Sequence, residues 1–243
     1  MRQLTDTVFC MDADARTDQP FVYYIHGSRY NLQVDAGNSP ENYRKLLNEL
    51  GECGLPKPDF IVTTHWHWDH TFGLCAAECP IIASGKTDTV LADVQTWKWD
   101  EASMKQRLQS GKDIEFTYHC IKEQYSNPAD IRVRRPDITI DSGMTLDLGG
   151  FQAVIQHRDS PHTRDALFIW LPHENILIGG DAHYEDYYDN YGQYDRNRLS
   201  DFILWLESIP FITYLKGHDE PAISKNELLE FLKSELKKLP NGK

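Results

Sequence analysis

The chain has 243 residues, of which 40% are hydrophobic and 26% are charged, which is typical of a globular protein with one large domain spanning residues 1–243. Its 25 Lys and Arg face 37 Asp and Glu, and the formal net charge of −12 would repel the phosphate backbone of nucleic acids, so these are not expected partners. No run approaches the roughly 18 apolar residues of a membrane span, and the opening MRQLTDTVFC lacks the basic and apolar regions of a signal peptide, so we expect neither membrane insertion nor secretion.

The cysteine content favours a reducing compartment. Disulfide frameworks of small secreted domains use even numbers of cysteines, whereas this chain has five and no Cys-x-x-Cys pair. We therefore predict free thiols and a cytoplasmic location. The five positions are Cys10, Cys53, Cys75, Cys79 and Cys120.

Short apolar runs between turn residues predict strands in the first part of the chain, in VFCM, PFVYYIHG and YNLQVDAGNS. A helix is then predicted to begin at Ser39 or Pro40 and to end near Gly51 or Gly54, because its leucines recur at helical spacing. The segment DFIVTTHW returns to the strand pattern. This order of strand, helix and strand predicts an α/β fold with helices layered on sheets.

The middle of the chain, residues 86–130, differs from both of its flanks. It is rich in helix formers and aromatic residues, and Gly111 is a predicted break between helical pieces. We interpret it as a helical insert within the single domain. Three roles are open for it: it covers a functional site, it packs onto the core, or it pairs two chains in a homodimer.

A second run of predicted strands follows the insert, in DITIDSG, MTLDLGG, FQAVIQH, ALFIWLP and NILIGGD. Near the end of the chain, Ser224 and Glu227 have the spacing of a capping box, and leucines at helical spacing follow them. The chain is therefore expected to close with a structural helix.

The segment THWHWDH, residues 64–70, carries the strongest chemical signal. In an extended chain successive side chains alternate, so His65, His67 and Asp69 would point to one side, with His70 approaching from the next segment. Imidazole nitrogens and carboxylate oxygens are zinc ligands at about 2.0–2.2 Å. An amphipathic strand with outward histidines is the alternative, but it gives no reason for three histidines and an aspartate within so few residues. The segment therefore predicts a metal site.

This His-x-His-x-Asp-His pattern resembles the signature of the metallo-β-lactamase superfamily. Three later segments are similar to that family's remaining ligand segments: SPHTRDALFIWLP would supply His162, ILIGGD would supply Asp181 and YLKGHDE would supply His218. The strand NLQVDAG resembles the family's early strand, which would place Asp35 as a supporting carboxylate beside the metal loop.

The resemblance implies the fold, the cofactors and the chemistry. The implied fold is a four-layer αβ/βα sandwich with a site for two zinc ions, or iron or manganese, at one sheet edge. Such ions lower the pKa of a bridging water, so that a metal-bound hydroxide attacks the substrate, and Asp69 would orient it and pass a proton to the leaving group. By the family's pattern, one metal would be held by His65, His67 and His162, the other by Asp69, His70 and His218, with Asp181 between them.

Differences between this sequence and several branches of the family narrow the range of possible substrates. Asp181 replaces the Cys of one group of zinc β-lactamases, and Tyr184 stands where their carboxylate-binding Lys would be, which disfavours penicillins. Only residues 219–243 follow His218, which is too short for the added helical domain of glyoxalase II. The net charge disfavours the RNA-processing members. His67 stands where flavodiiron proteins have Glu, which disfavours that branch.

The most similar branch is that of the N-acyl homoserine lactonases, in which Tyr184 would donate a hydrogen bond to the carbonyl oxygen. An equally weighted alternative is that the tyrosines of this segment form a packing stripe. We therefore predict a dinuclear zinc-dependent hydrolase that attacks a carbonyl ester, a lactone or a related bond of a small molecule. A mononuclear-iron sulfur dioxygenase, a phosphodiester hydrolase and an inactive binding protein remain open. The stripe comprises Tyr184, Tyr187, Tyr188 and Tyr191.

Overall fold

Two β-sheets face each other in the computed structural model, which describes residues 1–240. The first sheet contains β1 (Arg2–Gln3), β2 (Val8–Met11), β3 (Val22–Ile25), β4 (Leu32–Val34), β5 (Phe60–Val62), β6 (Ile81–Ser84) and β7 (Ile138–Ile140), in that order. The second contains β8 (Gly143–Asp147), β9 (Gln152–His157), β10 (Leu167–Leu171), β11 (Ile176–Gly180), β12 (Thr213–Lys216) and β13 (Ala222–Ser224), also in chain order.

Helices cover the outer faces of both sheets. The α-helices of the described residues are α1 (Pro40–Glu52), α2 (Trp68–Thr71), α3 (Gly85–Val94), α4 (Glu101–Gln109), α5 (Glu115–Gln124), α6 (Arg196–Ser208) and α7 (Lys225–Lys238). Short 3-10 helices span Phe72–Ala76 and Pro128–Asp130.

Strand direction changes within each sheet. From β1 to β4 the neighbours of the first sheet are antiparallel, and from β4 to β7 they are parallel. In the second sheet only β11 and β12 run parallel. Parallel strands end at the same edge of a sheet, so the loops that follow them are brought together there.

The main core lies between the two sheets. Val34 and Val62 from the first sheet pack against Ile155, Ile169 and Ile178 from the second, and all five side chains are fully buried. On the outer faces, α1 packs on the first sheet and α6 and α7 pack on the second. Each fully buried aliphatic side chain contributes about 1.5–3 kcal/mol relative to exposure. These layers confirm the predicted four-layer α/β sandwich.

Two predicted helix starts are present with their caps. The Ser39 hydroxyl accepts a hydrogen bond from the backbone N–H of Asn42, and Pro40 occupies the first turn of α1, where a missing N–H does no harm. At α7, Ser224 and Glu227 form the predicted capping box. Local hydrogen-bonding chemistry therefore determines where both helices begin.

One predicted strand lies in the other sheet. The segment DITIDSG follows the insert and belongs, by chain order, with the second run of strands, but its strand β7 pairs with β6 in the first sheet. The segment between them forms α3, α4 and α5 and acts as the crossover that two parallel strands require. The strands β1, β6, β12 and β13 and the helix α6 were not predicted.

The middle segment packs directly on the chain around Trp68. Trp68 and Phe72 share a buried cluster with Met104, Tyr118 and Ile121 of α4 and α5. The single domain over residues 1–243 and the insert at 86–130 stay predictions. Residues 241–243 of that domain lie outside the described residues.

No helix among residues 1–240 combines the length and the apolar character needed to cross a membrane. The five cysteines, all within the described part of the chain, are unbridged.

Candidate metal centre

Strand ends of both sheets bring the predicted ligands together. The loop with His65, His67 and the helix α2 follows β5, Asp181 directly follows β11, and His218 comes shortly after β12. The loop between β9 and β10 contributes His162. These loops meet at one edge of the sandwich, where all seven predicted metal ligands lie in two groups of facing ligand atoms.

The segment 64–70 is only partly extended. His65 and His67 lie on an irregular loop, and both reach the same ligand group, as predicted from their alternation in the sequence. The chain then turns into the short helix α2 at Trp68. Asp69 and His70 therefore reach the site from a helix, and the prediction of an extended chain through residue 69 is wrong. The helical turn separates Asp69 from the first two histidines and places it in the second group.

The three-histidine group consists of His65, His67 and His162. His67 Nδ1 and His162 Nε2 are 3.0 Å apart, and the ligand atoms of the group lie within 4.8 Å of one another. All three side chains are buried. Three imidazoles with converging nitrogens provide three of the four ligands of a tetrahedral site, which leaves one position open.

The mixed group consists of Asp69, His70, Asp181 and His218. His70 Nε2 lies 3.0 Å from Asp69 Oδ2 and 3.2 Å from Asp181 Oδ2, and His218 Nε2 lies 3.2 and 3.3 Å from the same two oxygens. Asp181 Oδ2 is also 4.0 Å from His162 Nε2 of the three-histidine group. The Asp181 carboxylate thus contacts both groups.

Several buried ligand atoms of the site are better placed to bind a cation than to form hydrogen bonds with one another. His162 donates from Nδ1 to the Glu185 carbonyl, so a neutral His162 ring presents a lone pair at Nε2, facing His67 Nδ1. His65 Nε2 and Asp181 Oδ1 are buried without a hydrogen-bond partner among the described residues. Leaving such groups unpaired is costly, and a shared metal ion would satisfy them together. The residues therefore fit metal ions.

The electrostatic environment differs between the two groups. Burial lowers the pKa of His65 and of His67, and the neighbouring imidazoles lower them further, so both rings stay neutral and able to ligate. Burial also opposes charge on His70 and His218, but the adjacent carboxylates outweigh it and raise the pKa of both rings. Metal binding at the mixed group would therefore replace protons on these rings.

Supporting hydrogen bonds fix the ligand rings. His70 donates from Nδ1 to Asp35 Oδ2 at 2.8 Å, and the backbone N–H of Thr64 donates to Asp35 Oδ1 at 2.7 Å. The Thr64 hydroxyl also donates to Asp35 and lies 3.1 Å from His65 Nδ1. Asp35 adopts a left-handed backbone conformation, φ 64°, which non-glycine residues rarely adopt. Asp35 therefore takes the supporting position that its strand predicted.

Sequence reasoning missed Asp18. Its carboxylate lies 3.9 Å from His218 Nδ1 and lines the cavity over the metal centre, and its backbone is left-handed, φ 54°. Burial raises its pKa to about 8, and the charge on Asp69 acts in the same direction. No motif surrounds Asp18 in the sequence, so only the folded chain shows it beside His218.

A cavity of about 340 Å³, called here the inner cavity, opens on the ligands. Its apolar walls include Ile114 and Phe116, so the middle segment forms part of the cavity wall. Trp97 and Trp99, in contrast, pack against the Arg107 guanidinium, with ring centroids 4.7 and 4.6 Å from its central carbon. The inner cavity is lined by Asp18, His67, Trp68, Asp69, Ile114, Phe116, Thr117, His162, Asp181, Tyr184, Tyr187, Tyr188 and His218.

The predicted tyrosines divide between the cavity and the surface. Tyr184 lines the inner cavity, and its hydroxyl donates to Asp219 Oδ2 at 2.7 Å. Tyr188 lies 4.8 Å from the His67 ring, and Tyr191 is exposed. His183 is not a member of either ligand group; burial lowers its pKa to about 3, and its ring packs on Tyr184.

Comparison with known proteins agrees with this geometry. Residues 15–77, which include Asp35 and the segment 64–70, match the sequence model of the Metallo-beta-lactamase superfamily. Over this segment the chain is similar to the metallo-β-lactamase superfamily. A solved metallo-β-lactamase from Pontibacter korlensis superposes with a TM-score of 0.67 at 19% identity, covering 98% of each chain.

Two curated relatives of this metallo-β-lactamase-fold protein are both named acyl-coenzyme A thioesterase MBLAC2. The Gallus gallus protein is 24% identical over 176 residues, 68% of this chain and 57% of the relative. The Homo sapiens protein is 22% identical over 199 residues, 75% of this chain and 64% of the relative. The chain thus matches less than two thirds of the length of either relative.

Proposed function

We propose that this chain is a metal-dependent hydrolase that cleaves an ester or thioester of an acyl group. The observation that carries the proposal is the pair of ligand groups joined by Asp181 at the floor of an apolar cavity. His65, His67 and His162 would hold one divalent cation, Asp69, His70 and His218 the other, and Asp181 would contact both, with zinc the first expectation. When bound, such ions supply Lewis-acid activation of water and of the carbonyl group.

Asp69 would take the proton-handling role. Burial alone raises the pKa of its carboxyl, but His70 and His218 outweigh burial and lower it, so the group stays ionised. An ionised carboxylate at the wall of the inner cavity accepts a hydrogen bond from the attacking water and can hold its proton for the leaving group. A positioned acid or base of this kind contributes about 10²–10⁴-fold to the rate.

Tyr184 is the proposed donor to the carbonyl oxygen. Its hydroxyl has one proton, which in this structure forms a hydrogen bond to the Asp219 carboxylate. To serve as donor, the hydroxyl must turn from Asp219 towards the substrate. Its place in the wall of the inner cavity, next to His162, supports this role.

The names of the two relatives favour a thioester as the scissile bond, and the fold does not distinguish it from an oxygen ester. Neither relative is a lactonase by name, so a lactone substrate depends on Tyr184 alone. The apolar inner cavity supports an acyl substituent: Trp68, Ile114 and Phe116 offer aliphatic and aromatic surface beside the ligands.

A substrate panel tests the proposal. We expect the purified protein to hydrolyse a nitrophenyl ester, a lactone or an acyl thioester at least about 100-fold faster than a phosphodiester, because an uncharged carbonyl fits the apolar cavity. Rates should be compared before and after chelation and after restoring zinc. Hydrolysis of the phosphodiester alone, or oxygen uptake with a persulfide substrate and an iron-loaded protein, would overturn the assignment.

A further inference from the structure

A second, larger cavity continues from the metal centre to the surface. This outer cleft of about 800 Å³ shares Asp18 and His218 with the inner cavity, together with three aromatic residues. A substrate whose scissile bond lies at the metal ligands would therefore have one part in each cavity. The three shared aromatic residues are Phe116, Tyr184 and Tyr187.

The two cavities differ in chemical character. Beyond the metal ligands and Asp18, the inner cavity presents mainly apolar and aromatic side chains, which suits an acyl chain. The outer cleft presents Asp12, Asp219 and Glu220 as well as Arg2. The alcohol or thiol part of the substrate therefore faces the charged cavity.

Apart from the proposed metal ligand His218, the lining of the outer cleft has a negative net charge. Arg2 is the one Lys or Arg among its lining residues, and its guanidinium is already paired with Asp12 at 2.7 Å and placed over the Phe21 ring at 5.6 Å. The cleft lining contains three carboxylates and this single guanidinium, even when Asp18 is left out of the count. A cleft lined by one sign of charge attracts ligands of the opposite sign and repels its own.

Exposed aromatic rings lie where the two cavities join. Phe116 is 57% exposed and Tyr187 is 49% exposed, so both rings are accessible to a ligand that spans the two cavities. Aromatic faces attract cations, and the effect adds to that of nearby carboxylates. This second feature points to the same class of ligand as the charges do.

We propose, on the basis of the proposed hydrolase function, that the outer cleft selects substrates whose alcohol or thiol part is cationic or neutral and disfavours polyanionic leaving groups. Coenzyme A carries several phosphate charges and belongs to the disfavoured class. The carboxylates of the outer cleft would thus distinguish this chain in substrate choice from the two relatives named acyl-coenzyme A thioesterase.

The test uses one acyl group on three thiols. Butyryl thioesters of thiocholine, N-acetylcysteamine and coenzyme A present a cationic, a neutral and a polyanionic leaving group. We expect kcat/KM to fall in that order, with thiocholine at least roughly tenfold above coenzyme A. Raising the salt concentration should reduce this ratio, because exposed charges are screened. A preference for the coenzyme A ester would overturn the inference and leave the hydrolase function intact.

Two charge-reversal variants test whether the substrate preference originates in the outer cleft. Glu220→Lys should lower the thiocholine to coenzyme A ratio by at least about threefold, whereas Glu230→Lys on α7 makes the same change in net charge away from the cleft and should leave the ratio unchanged. Equal ratios in the two variants would contradict the proposed role of the outer cleft.

Binding provides a readout that does not depend on turnover. Calorimetry with the non-hydrolysable butyl thioethers of the three thiols should give the same order of affinities. If neither these thioesters nor the oxygen esters of the panel are cleaved, the proposed function fails. The binding order still decides the selectivity: tighter binding of the thiocholine ether supports it, and tighter binding of the coenzyme A ether refutes it.

Discussion

Replacing Asp181 by Ala is expected to lower the metal content of the protein and its hydrolytic rate together. The Asp181 carboxylate lies within 3.3 Å of His70 Nε2 and His218 Nε2 and 4.0 Å from His162 Nε2, so both proposed metals lose a ligand when it is removed. Loss of a supporting residue behind a ligand typically costs 10–100-fold in affinity or activity, so loss of the ligand itself should cost at least about 100-fold.

The measurement is elemental analysis of the purified variant beside its rate on the best substrate of the panel. Asp189→Ala is the matched control, because Asp189 is an exposed aspartate of the segment that follows Asp181. Unchanged metal content in Asp181→Ala would show that this carboxylate does not join the two groups.

Gly217→Ala is expected to have the second largest effect. A Cβ at this position would lie 2.0 Å from Asp181 Oδ1 and 3.1 Å from His70 Cε1, closer than atoms approach without displacement. The Asp181 carboxylate has little room to move, since its other oxygen contacts His70 and His218. We expect metal affinity to fall by at least roughly 10-fold, as for loss of a supporting residue, and the strain to cost about 1–3 kcal/mol of stability.

Thermal unfolding and a zinc titration with a chelating indicator would measure both effects. Gly51→Ala is the control, because the added Cβ contacts nothing within 4 Å and replaces glycine in the helix α1. That control should bind metal normally and be as stable as the parent or slightly more so. Normal metal affinity in Gly217→Ala would mean that the site relaxes around the methyl group.

Much of the fold was predictable because its signals are local. The caps at Ser39 and Ser224 are formed by residues three positions apart, and most strands alternate or run as short apolar segments between turn residues. The place of β7 in the first sheet was not predictable, because it depends on pairing with β6 across the whole middle segment. Periodicity carries no information about which distant strand is the partner.

The candidate site also has features that could be predicted from the sequence and features that could not. The predicted ligands come from four segments whose residue types resemble one family's pattern, and the structure brings all of them together. Asp18 has no local signal and is recognisable only from its distance to His218. The middle segment contains aromatic residues that pack, such as Trp99, and aromatic residues that line the cavity, such as Phe116. Trp99 lies between α3 and α4 and Phe116 lies in α5, and neither position has a local sequence pattern that distinguishes packing from lining the cavity.

The most direct test of the account is the metal content of the protein purified without added metal, measured by elemental analysis together with the rate on an acyl ester or thioester. The expected result is about two transition-metal ions per chain, chiefly zinc, with activity lost on chelation and restored by zinc. One iron per chain without zinc, or hydrolysis that persists when no metal is bound, would contradict it.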